Sequence, residues 1–303
     1  GEGGRRYGLG EWTEPGPQLA LRWYRGAAQE GDPDGQCCLG WLLEHGKFVD
    51  RDPEAAAAWY TAAAEQGYPR GQYQLAHCLQ YGIGLEADPE EAFALYQEAL
   101  DRGYGPAGCE AGQMAMRGDA GPRDPGRAME LWTRGAELGD VISCFNLGLC
   151  YERGDLGRDM EKSVYYYEKA VEGGDLDAMF NLGRYFQGEG DDLPRALELF
   201  RQGSEAGSGD CTCALGLCCE EGDGVEQSWE EAVRLYEKAA GQGSPWAMGN
   251  LAWCYDNGQG VEKSPEQAAA WYKKGAELGA PRCLCSLGWC YETGSGVEQS
   301  WEE

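Results

Sequence analysis

Fourteen cysteines and two histidines are the residues of this 303-residue chain best suited to metal or nucleophilic chemistry. Thiolates and imidazoles ligate metals, and thiolates attack carbonyls and disulfides. Their spacing argues against these uses. There is no C-x-x-C. The pairs Cys211-Thr212-Cys213 and Cys283-Leu284-Cys285 would put two thiols on divergent faces of a helix, a poor chelate. His45 and His77 read as surface or groove residues. No S-x-x-K or K-T-G accompanies a serine nucleophile. Segments such as Gly258-Gln259-Gly260 recur with the period of the chain, so they read as hairpin loops and not as phosphate cradles. No metal, cofactor or catalytic residue is therefore expected.

The charge narrows the partner classes. With 25 Lys+Arg against 52 Asp+Glu, the formal net charge is -27. Such a surface repels a phosphate backbone and an anionic membrane. No run of 18 apolar residues exists, so no direct membrane insertion is expected. A protein or peptide, with a basic segment, fits best. Apolar residues at 42% and aromatics at 11% exclude a disordered chain.

The elements that must position any site come from a repeat. Gly recurs at Gly31, Gly67, Gly103, Gly139, Gly174, Gly207, Gly243 and Gly279, in steps of 36, 36, 36, 35, 33, 36 and 36. Eight residues before each stands an aromatic or Leu, from Trp23 to Trp271. A second series, Gly40, Ala76, Gly112, Gly148, Gly183, Gly216, Ala252 and Gly288, follows; Leu precedes all but Gly112, which Ala111 precedes. Each unit reads as two helices. The first carries apolar residues at i, i+4 and i+7, as in Ala247, Leu251 and Cys254. The second starts near Pro or Ser, as at Asp88-Pro89 or Ser264-Pro265, and ends at the recurring Gly, placed at C′ with positive φ. Small residues five before the Gly/Ala, such as Gly35, Gly71 and Ala247, let helices approach closely. Neither helix buries its apolar face alone, so the units must stack.

These residues resemble the Sel1-like repeat family, relatives of the tetratricopeptide repeats. The match is carried by Ala247-Met248-Gly249-Asn250-Leu251-Ala252-Trp253-Cys254-Tyr255, by Gly258-Gln259-Gly260-Val261, and by Ala268-Ala269-Ala270-Trp271-Tyr272 leading to Gly279. It runs from about residue 8 to 303. The expectation is an all-α chain, a right-handed α-solenoid of about eight stacked helix-turn-helix repeats of ~36 residues. It forms one array over 1–303, with hairpins near 34–67, 70–103, 106–139, 142–174, 177–207, 210–243 and 246–279 and a partial one at 282–303. The chain begins mid-loop, and its last octapeptide, Gly296 to Glu303, repeats Gly224 to Glu231, which opens a second helix; a piece of a longer array is expected. Two departures stand out. Around Gly112, Ala111 and Ala115 replace Leu and Tyr, predicting a thinner, more mobile core. The loop before Pro194 is three residues short, predicting a changed superhelical step.

Related repeats bind on a concave face lined by first helices. The exposed positions there are expected three before and one after the Gly/Ala. The first set is Cys37, Tyr73, Cys109, Phe145, Phe180, Cys213, Gly249 and Cys285. The second is Trp41, His77, Gln113, Leu149, Arg184, Leu217, Trp253 and Trp289. The second varies in chemistry while its neighbours stay uniform. Trp41, Trp253 and Trp289 read as aromatic anchors for a peptide, or as fillers between repeats. Asn146, Asn181 and Asn250 precede Leu-Gly or Leu-Ala. The resemblance implies that they bond an extended peptide backbone; the alternative is a local backbone partner. Glu44, Glu152, Glu220, Asp256 and Glu292 make an acidic groove or a solvated face.

Cys78, Cys150, Cys218, Cys254 and Cys290 read as small buried hydrophobes. Cys211 and Cys218 lie seven apart on one helix, ~10 Å from the 1.5 Å rise, too far for a disulfide. The secreted branch of the family staples each repeat with a Cys late in its second helix, where this chain has Ala63-Ala64 and Ala239-Ala240. Free thiols and a cytoplasmic location follow. The expected function is a non-catalytic protein-protein interaction scaffold or adaptor, holding a peptide or helix on the concave face. The alternatives are a β-lactam or cell-wall hydrolase, as attributed to some family members, and a structural spacer.

Overall fold

The computed structural model describes residues 16–299. Among them are sixteen α-helices and no strand. They are α1 (Pro17–Gln29), α2 (Pro33–His45), α3 (Pro53–Glu65), α4 (Pro69–Tyr81), α5 (Pro89–Asp101), α6 (Gly105–Arg117), α7 (Pro125–Glu137) and α8 (Val141–Arg153). Then come α9 (Met160–Glu172), α10 (Leu176–Gln187), α11 (Leu193–Glu205), α12 (Gly209–Glu221), α13 (Trp229–Gly241), α14 (Pro245–Asn257), α15 (Pro265–Glu277) and α16 (Pro281–Thr293). Consecutive helices pack in succession, so the chain is an α-solenoid of helix-turn-helix repeats. It falls into two compact units, the first ending at Tyr166 and the second beginning at Tyr167. The expectations placed on the start of the chain and on Ser300 to Glu303 lie outside the described residues.

Local chemistry sets the helix ends. Second helices from α3 on start on an Asp or Ser side-chain cap: Asp88 Oδ1 accepts from the Glu91 N–H at 2.9 Å, and Ser228 Oγ from the Glu231 N–H at 3.2 Å. Such a cap satisfies a donor that the first turn leaves without a helical partner. Every one of the eight recurring glycines lies at positive φ, between 69° and 99°. At Gly103, with φ 89°, an added Cβ would meet nothing, so the backbone conformation alone selects glycine.

In the hairpins of Gly40, Gly112, Gly183 and Gly216, a ring from the second helix packs against the glycine of the first. A Cβ on Gly40 would stand 2.6 Å from Tyr60 Cε1, and one on Gly183 would stand 2.5 Å from Phe200 Cε1. The repeat around Gly112 follows the same rule, which corrects the thinner core expected there. Trp132 stands where the others carry Tyr or Phe, and its Nε1 donates to the Cys109 carbonyl at 3.1 Å. Trp132 and Met114 are buried and fill the space that Ala111 and Ala115 leave. The hairpin with the shortened loop ends its first helix one residue early. α10 has 12 residues, Gly188 ends it at φ -106°, and Asp191 takes the positive φ of 46°.

Candidate partner-binding surface

Successive first helices touch one another: α2 meets α4 and α6 meets α8 in the first unit, and α12 meets α14 and α14 meets α16 in the second. Their common side carries the variable residues. At the position three before the Gly/Ala, the expected exposure is corrected for four members. Cys37, Cys109 and Cys213 are 0%, 3% and 2% exposed, and Gly249 is buried too. One reason is a contact across hairpins. Asn146 Nδ2 lies 3.7 Å from Cys109 Sγ, and Asn250 Nδ2 lies 3.6 Å from Cys213 Sγ. These asparagines thus roof the thiol of the preceding first helix, a partner that neither sequence reading named. Asn181 is half-buried.

The aromatic members of that position stay partly open. Half-buried Tyr73 packs against Tyr96 and Tyr104, with centroids 5.5 and 5.2 Å away. Phe145 and Phe180 are also half-buried. Phe180 meets Phe200 at 6.4 Å and, across the small Cys213, Trp246 at 6.0 Å. The position one after the Gly/Ala is more open. Trp289 is 51% exposed and Arg184 is exposed, 5.9 Å over the Phe180 ring. Half-buried Trp41 stacks on His45 at 4.6 Å under Lys47, and half-buried Trp253 stacks on Trp229 at 5.7 Å. His77 packs on Tyr81 at 4.8 Å, and burial lowers its pKa. Leu149 is half-buried.

The acidic series divides. Glu44 and Glu220 are half-buried, and each accepts the hydroxyl of the ring stacked in its own hairpin: Tyr60 to Glu44 at 2.8 Å, Tyr236 to Glu220 at 2.6 Å. These carboxylates hold the hairpins together, which corrects both the groove and the solvated-face readings for them. Glu292 is exposed.

Each unit has a hollow beside its first helices. In the second unit a hollow of about 310 Å³ lies between α12, α14 and α16. Leu217, Trp246 and Pro245 supply apolar walls, and Asn250 and Arg282 supply polar ones. Arg282 Nη1 donates to Asn250 Oδ1 at 3.2 Å. In the first unit a hollow of about 370 Å³ lies between α6, α7 and α8 and the loop after α6. Gln113, Asn146 and Leu149 line it together with Arg117, Arg123 and Arg153. Sequence reasoning missed Trp246, Arg282 and these arginines. A signal for the first two existed. The position six before the Gly/Ala runs Asp34, Arg70, Pro106, Ile142, Asp177, Asp210, Trp246, Arg282, as variable as the position one after it.

None of the 14 cysteines is in a disulfide. Burial pushes the Cys37, Cys109 and Cys213 thiols up to about 12. Among the described residues, no group of three or more His, Cys, Asp or Glu side chains is arranged to hold a metal ion. No described helix is long and apolar enough to cross a membrane.

The Sel1 repeat family matches nine segments: residues 3–32, 33–68, 69–104, 109–140, 141–175, 176–208, 209–244, 247–279 and 281–300. No curated protein sequence matches the chain. Among solved structures, the chain is similar to a protective antigen of uropathogenic Escherichia coli with an SLR fold, at 28% identity and a TM-score of 0.78 over 96% of this chain. The chain spans 63% of the length of that protein. It is also similar to a Sel1 repeat protein from Oxalobacter formigenes, at 27% identity and a TM-score of 0.67, covering 92% of this chain and 82% of that one. Yeast Tom70, at 16% identity and a TM-score of 0.55 over 91% of this chain and 59% of that one, shares the fold alone.

Proposed function

The chain belongs to the Sel1 repeat family, and from that premise we propose that it is a non-catalytic scaffold whose first helices hold an extended segment of a partner protein. The fold class is one generally used for protein interaction. The observation that carries the finer reading is the hollow between α12, α14 and α16. It combines an apolar wall with an amide and a guanidinium, and Trp246 on its edge is 56% exposed. A large, rigid ring beside a few directed polar groups is the composition of a binding hot spot. Trp289 on α16 is likewise 51% exposed.

The absence of catalysis is supported by the thiols. A nucleophilic cysteine needs a lowered pKa, and burial drives these the other way. Fourteen cysteines outside any disulfide fit a reducing compartment, hence a cytoplasmic setting. A basic partner segment keeps the support of the net charge of -27 but loses that of Glu44 and Glu220, which are committed to Tyr60 and Tyr236.

A phage-displayed library of random peptides selected on the purified protein tests the reading. Enriched peptides should bind the wild type, lose tenfold or more with Trp246→Ala or Asn250→Ala, and keep their affinity with Lys273→Ala on the exposed side of α15. No enrichment, or equal affinity for all variants, refutes the reading and leaves a spacer.

A further inference from the structure

The first-unit hollow concentrates cations in a chain that is short of them. Arg117, Arg123 and Arg153 line it against a single carboxylate, Asp155. The whole chain carries 25 basic and 52 acidic residues. The folding role of one of these arginines can be subtracted. Arg123 Nε donates to the Met116 carbonyl at 3.1 Å, as Arg51 does to the Glu44 carbonyl at 2.9 Å and Gln227 to the Glu220 carbonyl at 2.9 Å. That bond caps a helix end and recurs along the array, whether the donor is charged or not. The rest of the Arg123 fork still faces the hollow, 3.7 Å from Asp155.

Arg117 and Arg153 have no such recurrent duty. They are the last residues of α6 and α8, equivalent positions in successive repeats. A cation there is favoured by the helix dipole. Yet the same position carries Glu221 in α12, Asn257 in α14 and Thr293 in α16, each followed by a glycine in the left-handed conformation, so the cap does not require a cation. Arg117 bonds Gln113 Oε1 at 3.0 Å and stands 4.0 Å from Asp119, a loose ion pair on an exposed side chain. Such pairs hold a guanidinium weakly and leave it able to take a better partner. The floor is Leu149, Trp132 and the Cys150 thiol, which burial and the neighbouring Asp155 carboxylate keep protonated, so Asp155 is the one lining carboxylate that three guanidiniums outweigh. A volume of about 370 Å³ lies within the range of ligand sites, ~300–1,000 Å³.

We propose that the hollow formed by α6, α7 and α8 takes an acidic segment of a protein partner, with an Asp or Glu carboxylate held by Arg153 and Arg117 and an adjacent apolar side chain against Leu149. Guanidinium forks match carboxylates with paired hydrogen bonds, which makes the site selective for planar oxyanions. This rests on the scaffold reading and adds the charge of the segment bound in the first unit, opposite to the sign that net charge favours.

The test uses three fluorescein-labelled peptides of one alternating pattern, with Leu at every second position and Glu, Lys or Ser between, measured by anisotropy against the intact protein. The Glu peptide should bind at least tenfold tighter than the Lys and Ser peptides. That preference should weaken with salt and should fall at least tenfold in Arg117→Gln/Arg153→Gln but not in Arg234→Gln. Far-UV circular dichroism of the variants should match the wild type. Preference for Lys or Ser, indifference to the double substitution, or no binding of any peptide overturns the proposal. Displacement of the Glu peptide by an equal concentration of inorganic phosphate also overturns it, because the site then takes any free anion. The scaffold reading falls separately: library peptides that require Trp246 keep it standing whatever the acidic peptide does.

Discussion

The same substitution, Gly→Ala, should have opposite signs at two positions of the second unit. In a helix interior, Ala is better than Gly by ~0.5–1 kcal/mol, because glycine loses more freedom on folding. At Gly241, the end of α13, an added Cβ would meet nothing within 4 Å, so Gly241→Ala should stabilise by a few tenths of a kcal/mol. At Gly216 in α12, the new Cβ would stand 2.6 Å from Tyr236 Cε1 and 2.8 Å from Cδ1. Carbon atoms settle at ~3.5–4.0 Å, so the ring must retreat by ~1 Å. Tyr236 is fully buried, and its hydroxyl is tied to Glu220 at 2.6 Å, which blocks that retreat. Overpacking costs ~1–3 kcal/mol and loss of a hydrogen bond to a charged group ~1.5–3 kcal/mol. Glu220 is half-buried, so the lower end applies to the bond, and after the helix gain a net loss of ~2 kcal/mol remains. Urea denaturation followed by circular dichroism measures it. Tyr236→Phe should lose ~1–1.5 kcal/mol by itself, and in that background Gly216→Ala should cost less by ~1 kcal/mol, because the freed ring can move. A Gly216→Ala protein as stable as the wild type, or the same cost in both backgrounds, would refute the reasoning.

Two further outcomes follow from the packing. Trp132→Ala should destabilise the first unit by ~3–5 kcal/mol, because a buried ring that fills the space over Gly112 leaves a cavity, whereas Trp289→Ala should stay within ~0.5 kcal/mol; thermal melts of the two variants compare them. Alkali should also weaken the fold. The first unit holds Cys37, Cys78, Cys109 and Cys150 protonated to about 12, against an ordinary value of 9.0, so stability is full below pH 9 and is lost between about 9 and 12 as the unfolded thiols ionise. The loss approaches ~1.4 kcal/mol per pH unit for each thiol, and urea midpoints at pH 7, about 9.7 and about 10.5 should fall in that order.

Glycine spacing carried the hairpins because the left-handed C′ position and the close seat under a ring are demands few other residues meet. Both act locally, the first at eight recurring glycines and the second at Gly40, Gly112, Gly183 and Gly216, so one chain supplies its own comparison. The surface was only partly legible. Variability picked out Trp41, Trp253 and Trp289, none of which is sealed, but a position count along one helix cannot reveal what the next hairpin covers. Cys109 and Cys213 are hidden by Asn146 and Asn250, which come 37 residues later. Glu44 and Glu220 looked free for the same reason: their partners lie 16 residues on, in the second helix. The thinner core expected around Gly112 treated Ala111 and Ala115 as losses and did not weigh Trp132, which restores the volume from the facing helix.

The central claim is that first helices receive the partner. Amide hydrogen exchange, with and without a saturating library-selected peptide, tests it most directly. The account predicts slowed exchange along α12, α14 and α16, with α13 and α15 unchanged. Protection confined to second helices, or no protection at saturation, would contradict it.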